Sequence, residues 1–191
     1  MKKKSCLAVI FVLAASIGVC MLTTFWVQKP KCDLPSLLLG EAEMPPGWRE
    51  QWIILPAVLA LDAANGARQA YSVRLEYADM PGEYGAHHTV YQYSNRVLSA
   101  FYFWLYYDRP VIYADWPELR EASKLPLHAD RIQIKCRNSN DPYNGNGCAA
   151  VLRYGFYISN FGSSIEEGVM TLDEFQEIII KIDSRFVSCM N

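Results

Sequence analysis

The amino-acid sequence begins with three lysines followed by a long stretch without charge. Lysines occupy positions 2–4, and residues 6–27 contain no acidic or basic side chain. At 1.5 Å per residue, a helix of this length spans a hydrocarbon core about 30 Å thick. Lysines ahead of such a segment favour a cytoplasmic start. We therefore expect a signal peptide or membrane anchor over 1–27, a stalk over 28–33, and one extracytoplasmic domain over 34–191.

Three fates are open to the apolar segment. It exceeds the 7–15 residues usual for the apolar part of a cleaved signal peptide, which favours a retained single-pass anchor. Cleavage and secretion are the first alternative. Lipid attachment at Cys20 is the second, although Val19 stands where a lipoprotein signal usually carries a small residue. Each fate places the rest of the chain outside the cytoplasm, at the cell envelope.

The charge of the body argues against nucleic-acid binding. Residues 32–191 hold 13 basic and 20 acidic side chains, a net charge of 13 − 20 = −7. Proteins that follow a phosphate backbone need a basic stripe or face, which a body of this charge is poorly suited to provide.

Alternating polarity predicts strands in two similar halves. In the first, residues 71–77 place Tyr71, Val73, Leu75 and Tyr77 opposite polar neighbours, which is typical of a half-buried strand. A second strand over 88–93 and a helix over 95–107 follow. The second half repeats this order, with the strands and helix listed as 130–136, 148–158 and 172–186.

The last helix has a start signal as well as periodic apolar residues. Thr171 and Glu174 have the spacing of a capping box, in which each side chain satisfies a backbone N–H of the other. Together the segments predict an α+β fold: an antiparallel sheet of four or more strands with both main helices packed on one face. The order of elements suggests a ββα + ββα pseudo-repeat.

Four cysteines lie outside the apolar segment. An even number in an oxidising compartment indicates disulfides, with three connectivities available. Cys136 closes one predicted strand and Cys148 opens the next, which favours a bridge across that hairpin and leaves Cys32 to pair with Cys189. No two of these cysteines have C-x-x-C spacing, which argues against zinc.

The helix over 95–107 is the candidate ligand site. Ten aromatic residues fall between positions 84 and 113, and the helix is apolar around nearly its whole circumference. We favour a core helix whose tyrosine hydroxyls reach water. The functional alternatives are a surface resting on membrane or on a partner, or an enclosed apolar pocket between helix and sheet. The residues predicted to line that pocket are Tyr91, Phe101, Trp104 and Tyr154.

The sequence offers little catalytic chemistry. It contains no G-x-S-x-G, H-E-x-x-H, Walker-type or G-x-G-x-x-G motif. His87 and His88 are adjacent, so on a strand they point to opposite faces and cannot bind one ion together. His128 stands alone. We therefore predict no catalytic residue, no metal and no cofactor.

The segment from Leu37-Leu-Leu to Met44-Pro-Pro-Gly-Trp48 resembles the opening of extracytoplasmic sensor-like domains. Actinobacterial membrane serine/threonine kinases and related lipoproteins carry such domains. The resemblance implies an α+β domain outside the membrane, braced by two disulfides around a cleft that binds a ligand. It carries over no catalytic residue.

The leading hypothesis is therefore a non-enzymatic, membrane-anchored module of the bacterial cell envelope that binds a small apolar ligand or an envelope protein. The first alternative is a small envelope hydrolase, which would need at least two of His87, His88, His128 or a carboxylate to converge in a polar cleft. The second is a structural surface protein without a small-molecule site.

Overall fold

The structure, a computed structural model, describes residues 31–54, 66–109, 115–119, 125–137 and 146–190. The predicted apolar segment 6–27 and most of the predicted turn 138–147 lie outside these ranges. Across the described ranges, no helix has both the length and the apolar character needed to cross a bilayer.

One six-stranded antiparallel sheet forms the centre of the molecule, and the strands follow the order β1-β2-β3-β6-β5-β4. The predicted α+β class is confirmed. Neighbouring strands of the chain pair as hairpins, and β3 pairs with β6 to join the two halves. The strands are β1 (Trp48–Ile54), β2 (Gln69–Tyr77), β3 (Gly85–Gln92), β4 (Arg131–Arg137), β5 (Gly147–Tyr154) and β6 (Tyr157–Ser164).

In the described part of the chain, three helices accompany the sheet, besides a short 3-10 turn over Glu41–Glu43. Helix α1 (Leu34–Leu37) is a single turn, and α2 (Arg96–Phe103) continues as a π-helical turn over Trp104–Asp108. Helix α3 (Leu172–Met190) is the longest. Its predicted capping box is present, because Glu174 N–H donates to Thr171 Oγ1 at 3.2 Å and Thr171 N–H donates to Glu174 Oε2 at 2.7 Å.

The main core lies between α3, α1 and one face of the sheet, which we call the core face. Val73, Val90, Leu152 and Phe161 point from this face into the core. The apolar stripe of α3 supplies the other half, with aromatic rings stacked between Phe161 and Phe175 and between Tyr154 and Phe186. Burial of these large side chains supplies the dominant stabilisation of the domain.

Helix α2 packs on the opposite side of the sheet, which we call the groove face. Its Phe103 and the following Tyr107 contact Val151 and Ile158. These two strand residues alternate with core-face neighbours such as Leu152, so their side chains leave the sheet on the other side. The prediction that both main helices pack on one face is therefore wrong.

The predicted ββα + ββα pseudo-repeat is not confirmed. Each half has three strands before its helix, and the two helices lie on opposite faces. The predicted strand over 148–158 is in fact a hairpin, because Gly155 takes a φ of 59° and turns the chain between β5 and β6. Tyr154 and Phe156 on either side of that glycine prolong the alternation, so polarity alone hides the turn.

Both disulfides of the favoured pairing are present. Cys136–Cys148 joins directly opposite residues of β4 and β5. Cys32–Cys189 ties the chain just before α1 to the last turn of α3. The second bond closes 157 residues, so it encloses nearly all of the described structure.

Candidate functional site

The structure does not bring the four predicted pocket residues together. Tyr91 lies on the groove face beneath α2, among the partly buried residues of the α2 cluster. Phe101 and Trp104 lie on the outer side of the same helix and are 48% and 43% exposed. Tyr154 points to the core face, where it stacks on Phe186. Their placement gives no enclosed pocket lined by all four, and their role in ligand binding stays a prediction.

The groove face instead carries a polar groove that the sequence did not predict. It has a volume of about 510 Å³ and lies beside the β2–β3 turn, at the end of the sheet away from α2. A volume of this order accommodates a small-molecule ligand. The residues lining it are Ser72, Val73, Arg74, Gly82, Glu83, Gly85, Ala86, His87, Thr89 and Ser164.

Strand register sets the side chains of the groove in rows. Arg74, His87 and Gly162 lie directly opposite one another on β2, β3 and β6. A Cβ at position 162 would lie 2.5 Å from His87 Cε1, closer than real atoms approach. The absence of a side chain at position 162 allows the imidazole to lie across the neighbouring strand, and any larger residue there would require the ring to shift.

His87 is set up to remain neutral. Its pKa is lowered from 6.5, chiefly by desolvation from the surrounding protein and secondarily by the Arg74 guanidinium. Its side chain nevertheless keeps an exposed surface toward the groove. A neutral imidazole presents one hydrogen-bond donor and one acceptor, while Arg74 beside it presents only donors.

Hydroxyl groups form the next row. Ser72 and Thr89 lie opposite each other, and their hydroxyl oxygens are 2.7 Å apart in a mutual hydrogen bond. Because one hydroxyl donates to the other, the pair keeps one hydrogen that is free to seek a second acceptor. At the edge of the groove, Ser164 Oγ accepts a hydrogen bond from Gly85 N–H and donates one to Gly85 C=O. These two bonds hold β6 against β3.

The same row continues into a buried amide. Asn160 lies opposite Thr89 and is only 8% exposed, and its side-chain oxygen has no hydrogen-bond partner in the described structure. A buried polar atom without a partner costs roughly 1–3 kcal/mol, so such atoms in native structures call for an explanation. Asn160 itself does not line the groove, but it lies directly beside Thr89, which does.

The side chain of His88 lies in the main core and does not line the groove. It points to the core face, as the adjacent-histidine argument predicted, and is fully buried. Leu39 N–H donates to its Nδ1 at 3.1 Å, and its Nε2 lies 2.9 Å from Ser159 Oγ. Burial, with smaller contributions from Arg185 and His87, lowers the pKa of His88 from 6.5 to about 3. The ring is therefore neutral and joins the segment after α1 to β6.

His128 belongs to a third, separate location. Its backbone N–H and Nδ1 contact the two oxygens of Asp183, which also accepts from Tyr154 O–H at 2.9 Å. This network fastens the 125–130 segment to α3. Burial first, and then Asp183, raises the pKa of Tyr154. The three histidines therefore lie at separate locations. His128 does meet the Asp183 carboxylate, but neither residue lines the groove, so the polar cleft that the hydrolase alternative also requires is not formed around this pair. The described residues contain no cluster suited to a metal ion.

Sequence reasoning missed the groove because its residues come from three strands. The one available signal was the run Ser159-Asn-Phe-Gly-Ser-Ser164, which places a glycine and polar side chains on one face of a strand. Its importance depends on the pairing of β6 with β3, which joins residues some seventy positions apart.

Comparison with known proteins identifies the fold. No protein-family model matches the chain, and no curated protein matches it at a significant level. Among solved structures, the chain resembles the crystal structure of the extracellular domain of PknH from Mycobacterium tuberculosis, with a TM-score of 0.55 and 10% sequence identity. The likeness covers 84% of this chain and 98% of that domain. PknH is a mycobacterial membrane serine/threonine kinase, so the resemblance seen in the sequence is confirmed at the level of the fold.

Proposed function

We propose that this protein is an extracytoplasmic, sensor-like module, held at the membrane by residues 6–27, that binds a small polar ligand in the groove. The fold it shares with an extracellular domain supports the extracytoplasmic position. Two disulfides support it as well, because such bonds persist in oxidising compartments. The three lysines followed by 22 uncharged residues support the membrane attachment.

The observation that supports ligand binding is that polar groups on the groove face still have hydrogen-bonding capacity to offer. Ser72 and Thr89 offer a hydroxyl pair to the groove, and beside them the buried Asn160 oxygen has no partner among the described residues. His87 and Arg74 add a neutral donor–acceptor and a cation in the adjoining row. This lining favours a polar ligand that carries hydroxyl or amide groups over the apolar ligand predicted from the aromatic helix.

Native mass spectrometry of the full chain, purified from its own cells in mild detergent, tests the proposal. We expect the wild-type protein to retain an additional mass, or to take one up from a small-molecule extract of the same cells. Arg74→Gln and Thr89→Val should reduce the occupied fraction, because each removes a polar group that faces the groove.

Arg49→Gln is the matched control. Arg49 is an exposed arginine on β1 whose guanidinium contacts Ala78 C=O, and it does not line the groove. This variant should retain the ligand like the wild type. If no preparation shows an additional mass, including the one treated with extract, the result would support the alternative of a structural protein without a ligand site. Equal retention in all three variants would place the ligand elsewhere, and equal loss in all three would indicate a general loss of folding.

A further inference from the structure

The outer side of α2 exposes large apolar side chains in one line. Val97, Phe101 and Trp104 follow one another at spacings of four and three residues and are 59%, 48% and 43% exposed. The helix positions that face the sheet are different, namely Ser99, Phe103 and Tyr107. We call the exposed set the aromatic stripe. A helix that only covered a sheet would carry polar residues along such a line.

A cation accompanies the stripe. The guanidinium of Arg109 lies 4.1 Å from the centre of the Trp104 ring. Tryptophan with an adjacent arginine is typical of membrane–water interfaces, where the ring occupies the headgroup level and the cation meets anionic lipids.

The stripe lies near the point where the stalk enters the domain. Ser99 Oγ of α2 donates to Gly155 C=O, in the β5–β6 turn, at 2.6 Å. On the other side of the same turn, Tyr157 O–H accepts from Cys32 N–H at 3.3 Å. Helix α2 and the stalk therefore flank one turn, at the end of the sheet that we call the stalk end.

Chain length keeps the stalk end close to the proposed anchor. Only residues 28–31 separate the uncharged segment from Cys32. Four extended residues reach about 14 Å, similar to the length of α2 itself, which is about 12 Å for eight residues. A domain held this closely cannot move its stalk end far from the bilayer.

Charge is distributed unevenly along the strand direction. The cations at the stalk end, among the described residues, are Lys31, Arg68, Arg96, Arg109, Arg131 and Arg153. The acids there are Asp33, Asp108, Asp130 and the buried Asp183; Asp108 and Asp130 are paired with Arg131 and Arg153. The opposite end, which holds the groove, carries the cations Arg49, Arg74, Lys135 and Arg137, and they are outnumbered by acids that include Glu76, Asp79, Glu83, Glu166, Glu167 and Glu174. Although the domain as a whole is acidic, its stalk end, which lies next to the proposed anchor, has more basic than acidic residues.

We propose that the aromatic stripe rests in the headgroup region of a membrane that contains anionic lipids, with the groove directed away from the surface. This inference depends on the membrane attachment proposed above. A second copy of the chain is a less suitable occupant, because three side chains offer far less than the roughly 800 Å² per partner of a stable interface.

Tryptophan quenching by nitroxide-labelled lipid tests the contact in the full chain. The protein is inserted into nanodiscs of phosphatidylcholine and phosphatidylglycerol, with and without the label. The difference between wild type and Trp104→Phe isolates the emission of Trp104. We expect this emission to be quenched and blue-shifted, and to be quenched less when phosphatidylglycerol is omitted or when Phe101→Glu is introduced.

Met80→Trp in the Trp104→Phe background is the matched control. Met80 is an exposed apolar residue, 41% accessible, in the β2–β3 turn at the opposite end. Its tryptophan should escape quenching. Equal quenching at positions 80 and 104, or none at 104, would overturn the proposal. So would a blue shift at 104 that grows with the number of chains per disc without quenching, because that result indicates self-association.

Failure of the anchor itself gives a different result. If the full chain does not enter nanodiscs at all, the membrane attachment is wrong and the stripe proposal is overturned with it. If the chain enters and Trp104 alone remains unquenched, the attachment stands and only the contact of the stripe is rejected.

Discussion

Leu39 N–H donates a hydrogen bond to the Nδ1 atom of His88 at 3.1 Å, inside the main core. An imidazole nitrogen that accepts from an N–H cannot carry a proton of its own, so the hydrogen of this neutral ring resides on Nε2 and is donated to Ser159 Oγ. Protonation of His88 would set two donors against each other in a buried site. The contact between Leu39 and His88 therefore makes the stability of the fold sensitive to acid.

We predict that the domain loses stability as the pH falls below neutral. The pKa of His88 is 6.5 in the unfolded chain and about 3 in the folded one. A depressed pKa contributes stability that is complete above the unfolded value and is lost as the pH falls toward the folded value. From about pH 7.5 to about pH 5, the free energy of unfolding should fall by about 2 kcal/mol from this residue. Urea unfolding at the two pH values measures it.

His88→Gln separates this effect from general acid destabilisation. Glutamine accepts and donates hydrogen bonds but does not titrate in this range. The variant should unfold at lower urea concentration at neutral pH, and its stability should depend less on pH than that of the wild type. An unchanged pH dependence would show that His88 does not titrate on unfolding.

We predict that Gly162→Ala displaces His87 while leaving the fold intact. The added Cβ would meet the imidazole at 2.5 Å, and an exposed side chain moves aside more easily than backbone does. Displacement into solvent relieves the desolvation that lowers the pKa of His87. The pKa, followed by NMR titration of the ring, should therefore rise toward 6.5.

Gly85→Ala provides the comparison for that variant. Gly85 also lines the groove, but a Cβ there would meet only Leu75 C=O at an ordinary distance of 3.8 Å. The pKa of His87 should remain unchanged. A shift of equal size in both alanine variants would show that the ring of His87 does not depend on the glycine beneath it.

We predict that the two disulfides contribute unequally to stability. In the chain-entropy account, closing 157 residues through Cys32–Cys189 stabilises by about 5 kcal/mol, and closing 12 through Cys136–Cys148 by about 3 kcal/mol. Paired serine variants of each bond, compared by urea unfolding, measure the difference. The reverse order of stability would contradict this account.

We predict that Asp183→Asn destabilises the domain by about 1–3 kcal/mol, because an amide nitrogen would then face donors that require an acceptor. Asp183 is buried and bonded to Tyr154 and His128. Asp173→Asn, in the exposed first turn of the same helix, should cost less than about 1 kcal/mol, since only the helix dipole is affected. Thermal denaturation compares the stability of the two variants. Equal losses of stability would exclude a special role for the buried network around Asp183.

Local patterns in the sequence predicted the local features of the fold. The Thr171 and Glu174 spacing located the start of α3, and alternation located β2 and β4 close to their observed bounds. The disulfide between Cys136 and Cys148 followed from their positions at the ends of two neighbouring strands. Each of these features depends on residues within about a dozen positions of one another.

Features that depend on distant pairing were missed. Helix α2 is apolar around most of its surface, so its periodicity does not reveal which face of the sheet it covers. The groove requires β6 to lie beside β3, which brings Gly162 under His87. The Gly155 turn was concealed because aromatic residues on both sides continue the alternation. Nothing in the local sequence carries this long-range information.

Amide chemical-shift mapping on the full chain in detergent micelles tests the ligand proposal most directly. A small-molecule extract of the native cells is added to isotope-labelled protein, and the perturbed amides are assigned. We predict changes concentrated over residues 72–74, 85–89 and 160–164, which Arg74→Gln abolishes and Arg49→Gln preserves. Changes confined to α2, or an unperturbed spectrum, would contradict a ligand site on the groove face.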